Sequence, residues 1–183
     1  MLNRIVALIG IIFLSPLLFI IAISILVEDG FPIFFRQKRI GRDNSIFILY
    51  KFRSMKKNTP DVATHLLNSP EKYLLKIGKV LRKLSLDELP NFINILKGDM
   101  NFVGPRPALF NQYDLMELRT RAGVHILKPG LTGWAQVNGR DEISIPEKVK
   151  LDAWYKENYS LKLDLKILSK TVLNSILSKN VSH

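Results

Sequence analysis

The sequence predicts an α+β protein: an N-terminal apolar helix broken near its middle, then a small mixed domain with a β-hairpin and amphipathic helices. Three observations carry this reading. From Ile5 to Val27 there are 23 residues without a charge. Residues 31–53 hold two stretches rich in β-branched and aromatic side chains around a Gly/Asp/Asn turn. Residues 74–84 and 165–177 each repeat apolar residues at helical spacing. The expected division is an anchor over 1–28 and a membrane-associated domain over 29–183.

Composition narrows the classes. The 183 residues include no cysteine and three histidines, which removes disulfide scaffolds and Cys-ligated metal sites and speaks against His-rich ones. Glycine and proline together number 19, too few for a low-complexity chain. The net charge is +11 although 47% of residues are hydrophobic. Residues 1–30 carry Arg4 against Glu28 and Asp29, which leaves +12 for residues 31–183. The positive charge and the apolar run are therefore separate parts of the chain.

As a helix, the run from Ile5 to Val27 reaches about 34 Å, enough for a bilayer core. Pro16 falls at its middle, preceded by Ser15. Proline removes a backbone donor and crowds the Ile12 carbonyl, which the Ser15 hydroxyl is placed to satisfy. A kinked span and a hairpin that returns to its own face both fit this pattern. A cleaved signal peptide fits poorly, because the run is long and ends in Ile-Leu-Val-Glu-Asp-Gly. The positive-inside bias puts the basic region in the cytoplasm.

Beyond the anchor, Phe31–Ile40 and Ser45–Arg53 read as a hairpin closed by Gly41-Arg-Asp-Asn44. Residues 56–73, with Pro60 and Pro70, read as a loop or short helix. In the next segment Leu74, Ile77, Leu81 and Leu84 share one face, with Lys76, Lys79, Arg82 and Lys83 on the other. In the last, Leu165, Leu168, Val172 and Ile176 form the apolar side. Each apolar face suits either the domain core or an interfacial position on anionic lipid.

The chemistry concentrates between Arg82 and Arg106. Ser85-x-x-Glu88 matches a capping box, with Asp87 and Glu88 in the first turn of a helix that Pro90 opens and Gly98 closes. Adjacent carboxylates there serve equally to hold a divalent cation, one oxygen remaining as nucleophile or base. Gly104-Pro-Arg-Pro107 is a rigid turn holding out Arg106, suited to phosphate. Lys128 to Arg140, with three glycines, reads as an irregular loop able to bring backbone amides and Arg140 to a phosphorylated ligand. Walker and Rossmann glycine fingerprints are absent from the sequence.

Taken in order, Ser15-Pro16, Tyr50-Lys51-Phe-Arg-Ser-Met55, Leu84-Ser-Leu-Asp87-Glu88-Leu89, Lys97-Gly-Asp-Met100, Gly104-Pro-Arg-Pro107 and Pro129-Gly-Leu-Thr-Gly-Trp-Ala-Gln-Val-Asn-Gly-Arg140 resemble the bacterial sugar transferase family, the monotopic phosphoglycosyl transferases. The resemblance runs from about Arg4 to Lys179 and looks like the short form that carries only the catalytic core. It implies a re-entrant anchor broken at Ser15 and Pro16, dipping into the inner membrane from the cytoplasmic face. It implies that Asp87 attacks the sugar-linked phosphate of a UDP-sugar, releasing UMP, and that polyprenol (undecaprenyl) phosphate then takes the phosphosugar. By the same resemblance this would be the first membrane step of capsule, O-antigen, exopolysaccharide or glycoprotein assembly. Asp87 and Glu88 would share Mg²⁺. Arg106 matches a phosphate-contacting position, Arg82 and Arg140 match positions near the site, and Lys51 lies in a shared motif as a further phosphate-binding candidate. Lys128 stands where relatives often have Arg, and it lacks the fork for a bidentate role. The implied partners are the UDP-sugar, the lipid phosphate, the bilayer and downstream glycosyltransferases. Nucleic acid is not an expected partner, since no known binding motif occurs. The alternative is a basic, membrane-anchored binding module without catalysis.

Overall fold

The computed structural model describes residues 1–60, 69–139 and 143–176, with the side chains of Ser175 and Ile176 left out. Helix and strand are mixed, as the sequence predicts. Helix α1 (Leu2–Asp29) is a single element with Pro16 inside it. The Ser15 hydroxyl donates to the Ile12 carbonyl at 2.7 Å, the acceptor that Pro16 leaves without its amide. The expected break thus does not divide the helix into two elements. The helix is long and apolar enough to cross a membrane, with a mean hydropathy of 2.9 over its most apolar stretch.

Most of α1 is bare, and its middle exposes Ile9, Ile12, Phe13, Leu17, Phe19 and Ile20. Its two ends are tied down. Near the start, Arg4 donates to the Lys97 carbonyl at 3.0 Å and Asn3 to Asn101 Oδ1 at 3.3 Å. At the other end, the Glu28 carboxylate accepts from the backbone amides of Lys76 (2.6 Å) and Ile77 (3.1 Å). Those are free donors of another helix's first turn, where a carboxylate is favoured. Asp29 pairs with Arg53, whose guanidinium also reaches the carbonyls of Gly30 and Pro32.

Strands β1 (Phe34–Ile40) and β2 (Ile46–Phe52) form the expected antiparallel hairpin, in register from Phe34 opposite Phe52 to Ile40 opposite Ile46. Asp43 and Asn44 take the left-handed conformations of the turn, which Asn and Asp tolerate best after glycine. Helix α2 (Lys76–Lys83) begins two residues later than the amphipathic pattern suggests. Leu75, not Leu74, is the buried residue at its entrance, joining Ile21 and Ile25 of α1, Phe52 and Leu81 in one core. Leu84 lies past the helix end and is half exposed.

Gly78 lets α2 back onto the hairpin exit, where an added Cβ would lie 2.0 Å from the Ser54 carbonyl oxygen. Alanine ordinarily favours a helix over glycine by about 1 kcal/mol. Here the overlap is with backbone and cannot be relieved by a rotamer, so Gly78→Ala is expected to destabilise the protein by roughly 1–3 kcal/mol in denaturant unfolding. An unchanged or raised stability would show that α2 does not sit this close.

Helix α3 (Asn91–Lys97) ends, as predicted, at Gly98, which is left-handed with φ 94°. It lies against the first half of α1, and Ala7, Leu49, Ile95 and Met100 fill that contact. Strand β3 (Asn101–Val103) pairs in parallel with β4 (Gly130–Thr132). The glycine-rich stretch is therefore partly regular, a strand followed by the short helix α5 (Trp134–Val137). The Gly130 amide is engaged by the Pro105 carbonyl at 2.9 Å and does not face outward as an anion donor.

Helices α4 (Tyr113–Arg121), α6 (Ile145–Glu157) and α7 (Leu161–Ile176) complete the domain. In α7 the core residues are Leu163 and Ile167, with Leu168 packed against them. Leu165 and Val172, expected on the buried or lipid-facing side, are more than half exposed. Packing against Val103, Val137 and Tyr155 turns Leu163 and Ile167 inward, and of the side the periodicity singled out only Leu168 is seen to join them.

Candidate active site

The site is assembled from four short pieces of chain. The hairpin register sets Lys51 opposite Phe35, Leu49 opposite Gln37 and Phe47 opposite Arg39. Alternation then puts Gln37, Arg39, Leu49 and Lys51 on one face of the hairpin. Helix α2 contributes Arg82 from its last turn, with Nε donating to Ser54 Oγ at 3.0 Å. The carboxylates follow from a sharp reversal at Ser85, and Arg106 comes from the turn after β3.

Ser85 has φ 54°, a left-handed conformation unusual for a residue with a side chain. This overturns the capping-box reading: the Ser85 side chain makes no cap hydrogen bond. Asp87 and Glu88 lie in a separate 3₁₀ turn, Leu86–Glu88, ahead of α3 rather than in its first helical turn. The reason is geometric, since an N-cap needs an extended backbone and Ser85 is left-handed.

Glu88 is gripped by cations. Lys51 Nζ lies 2.7 Å from Glu88 Oε1, and Arg106 Nη2 lies 3.6 Å from the same oxygen. For Asp87, no Lys or Arg nitrogen comes within salt-bridge distance among the described residues. Burial pushes the Asp87 carboxyl above its ordinary range, as does the Glu88 charge; Lys51 and Arg82 pull it back. The Arg82 guanidinium is lowered by burial and partly restored by Asp87. Five of the residues singled out in the sequence thus meet in one place: Lys51, Arg82, Asp87, Glu88 and Arg106. Arg140 lies outside the described residues. Ser15 and Pro16 sit in the exposed middle of α1 and are no part of this cleft.

The turn carrying Arg106 is held at almost every backbone oxygen. Gly130 donates to Pro105 O, Arg119 Nη1 to Arg106 O at 2.8 Å, Arg39 Nη1 to Pro107 O at 3.0 Å, and Ile40 to Ala108 O. Arg119 is itself fixed by a buried pair with Asp152, at 2.6 and 3.0 Å. A guanidinium on such a turn is preorganised for an anion. Lys128 donates to the Gly98 carbonyl at the end of α3, a structural position in keeping with its lack of a fork.

Sequence reasoning missed Arg39, Asn91, Arg119 and Asp152. Arg39 and Asn91 line the cleft with Lys51, Glu88 and Arg106. The Asn91 side chain is buried, and its Oδ1 has no hydrogen-bond partner. Its position four residues after Asp87 was visible in the sequence. Arg119 and Asp152 carried no signal beyond being charges on amphipathic helices. No group of three or more acidic, His or Cys side chains suited to a metal occurs among the described residues. Asp87 and Glu88, with the orphaned Asn91 oxygen nearby, fit a hard cation that keeps most of its waters and takes further oxygens from a phosphate.

These features define a class: an α+β domain docked on a long apolar helix, with an acidic dyad set in a basic cleft. Comparison with known proteins makes it specific. The family model described as bacterial sugar transferase matches residues 1–178, and the chain belongs to that family and is a transferase. It is 46% identical over 167 residues to an uncharacterised sugar transferase, EpsL, of Bacillus subtilis, covering 91% of this chain and 81% of that one. It is 40% identical to the UDP-N-acetylgalactosamine-undecaprenyl-phosphate N-acetylgalactosaminephosphotransferase of Aeromonas hydrophila, and 38% identical to the UDP-glucose:undecaprenyl-phosphate glucose-1-phosphate transferase of Escherichia coli. Each alignment covers 91% of this chain, which spans 40% and 37% of those two relatives.

Proposed function

We propose that this protein transfers a sugar phosphate from a UDP-sugar to undecaprenyl or another polyprenol phosphate, with Asp87 as the nucleophile. The carrying observation is the asymmetry of the dyad: Glu88 is paired with Lys51 and Arg106, while Asp87 has no such partner among the described residues. An Asp87 oxygen attacks the sugar-linked phosphorus, the P–O bond to UMP breaks, and UMP leaves with the bonding electrons. A lipid phosphate oxygen then attacks the same phosphorus, and the bond to Asp87 breaks to regenerate the carboxylate. Ionised Asp87 needs no general base for the first step.

Lys51, Arg82 and Arg106 supply fixed positive charge where two phosphorylated substrates must approach each other. Glu88 orients Lys51 and Arg106. Asp87 and Glu88 are the residues that would hold Mg²⁺, which when bound neutralises charge on the diphosphate. Arg140, from the family motif, belongs to the same proposal.

The anchor is read as re-entrant, dipping into one leaflet from the cytoplasmic side of the inner membrane, with 1–28 as anchor and 29–183 as catalytic domain. Both ends of α1 hydrogen-bond to the one domain, through Asn3 and Arg4 and through Glu28 and Asp29. A span would carry those ends to opposite faces, about 30 Å apart across the hydrocarbon.

The test is UMP release by the full chain with Mg²⁺, polyprenol phosphate and a panel of UDP-sugars. UDP-N-acetylgalactosamine and UDP-glucose lead the panel because relatives are named for them. One donor is expected to give UMP together with a polyprenyl-diphosphate sugar, and no turnover with any donor would refute the reading. Labelling of the N-terminus from outside intact cells is expected to fail, and labelling there would refute the re-entrant anchor.

A further inference from the structure

The hairpin carries a cation that the proposed mechanism does not use. Arg39 lies in the cleft with Lys51, Glu88 and Arg106. Its guanidinium has no carboxylate of its own among the described residues. Nε and Nη2 donate to the neutral Gln37 Oε1, at 3.0 and 2.6 Å, and Nη1 donates to the Pro107 carbonyl. The nearest acid in the cleft, Glu88, is already engaged by Lys51 and Arg106. Burial lowers the Arg39 guanidinium to about 10, the neighbouring Arg106 charge acts in the same direction, and Glu88 opposes both.

A half-buried arginine that shares a cleft with a second arginine is costly unless something anionic completes the site. Gln37 fixes the plane of the fork, and the Pro107 contact fixes its distance from the turn that bears Arg106. Three of the five Arg39 N–H groups are engaged, which leaves one on Nη1 and one on Nη2, held in place by neutral partners, for the oxygens of a phosphate.

We propose that Arg39 is a phosphate-binding residue, forming with Arg106 a two-guanidinium seat for one phosphate group of a bound substrate. This rests on the reading of the cleft as a phosphoryl-transfer site. The phosphate has two sources of the same chemistry, the diphosphate of the nucleotide donor and the phosphate of the lipid carrier.

The experiment measures UDP binding by calorimetry, and the dependence of turnover on polyprenol phosphate, for the full chain in detergent. Wild type is compared with Arg39→Gln and Arg39→Lys at matched thermal stability. If the seat takes the donor, Arg39→Gln weakens UDP binding about 10- to 100-fold and leaves the KM for the lipid alone. If it takes the carrier, UDP binding stays and the lipid KM rises by a similar factor. Arg39→Lys, with charge but no fork, is expected to weaken the same ligand about 3- to 10-fold, and it decides the matter should Arg39→Gln not fold. Binding of both ligands within twofold of wild type in the folded variants overturns the proposal. So does an equal loss for both ligands, the mark of a turn merely propped by Arg39. Failure of wild type to bind either ligand would instead remove the reading of the cleft itself.

Discussion

Asp87→Asn is expected to reduce UMP release by roughly three orders of magnitude or more while leaving the fold intact. The amide keeps the shape of the side chain but could not form the acyl phosphate that the proposed mechanism requires. Asp87 lies in a half-buried 3₁₀ turn without a salt bridge among the described residues, so its neutralisation breaks no ion pair, and burial already opposes its charge. Glu88→Gln is expected to behave differently. It takes the counter-charge from Lys51 and Arg106, so it should lower both stability and activity, the latter by less than Asp87→Asn. Turnover by Asp87→Asn near the wild-type rate would exclude a covalent step on this residue. Equal losses of stability in the two variants would deny the asymmetry of the dyad.

Arg119→Met is expected to cost about 3–5 kcal/mol of folding stability, the range for leaving a buried charge without its partner. Asp152 is 1% exposed, and Arg119 supplies its two closest donors. For a domain of this size the loss corresponds to a fall in melting temperature of roughly 10 °C. The sign of the pH dependence follows from Asp152. Burial raises its carboxyl above the ordinary range in the folded protein, and the Arg119 charge opposes that rise. The folded state therefore holds the proton to higher pH than the unfolded chain, and stability from this group is lost as pH rises through the folded value. Removing Arg119 lifts that value further, so the deficit of Arg119→Met should shrink between about pH 8 and about pH 5. The double variant Arg119→Met with Asp152→Leu should recover much of the stability, as apolar replacements of buried pairs often do. It should not recover activity, because the Arg106 carbonyl still lacks its donor. A deficit that does not change with pH would locate the loss in packing instead.

What could be read in the sequence had local causes. The hairpin follows from β-branched and aromatic residues around a turn of Gly41, Asp43 and Asn44. The end of α3 follows from Gly98, and the Ser15 hydroxyl goes to the carbonyl that Pro16 orphans. Motif order singled out the dyad, Lys51, Arg82 and Arg106, five side chains that the fold brings near one another. The misread features are those whose outcome depends on a distant partner. Ser85 is not an N-cap, because the reversal between α2 and α3 needs it left-handed. Leu75 displaces Leu74 because α1 covers that side of α2. Helix α7 turns inward a face that periodicity left undistinguished, and β4 exists only because β3 lies beside it.

Charge shows the division most clearly. The sequence by itself determined that the apolar residues and the net positive charge occupy different parts of the chain, because both are sums over residues. Which of the many arginines matter was decided in three dimensions. Arg39, Arg53, Arg106 and Arg119 look alike as letters. One lines the cleft with neutral partners, one fastens the end of α1, one faces the dyad, and one holds a carbonyl from behind. An arginine's role is set by what its fork meets, and those partners lie from 2 to 68 residues away along the chain.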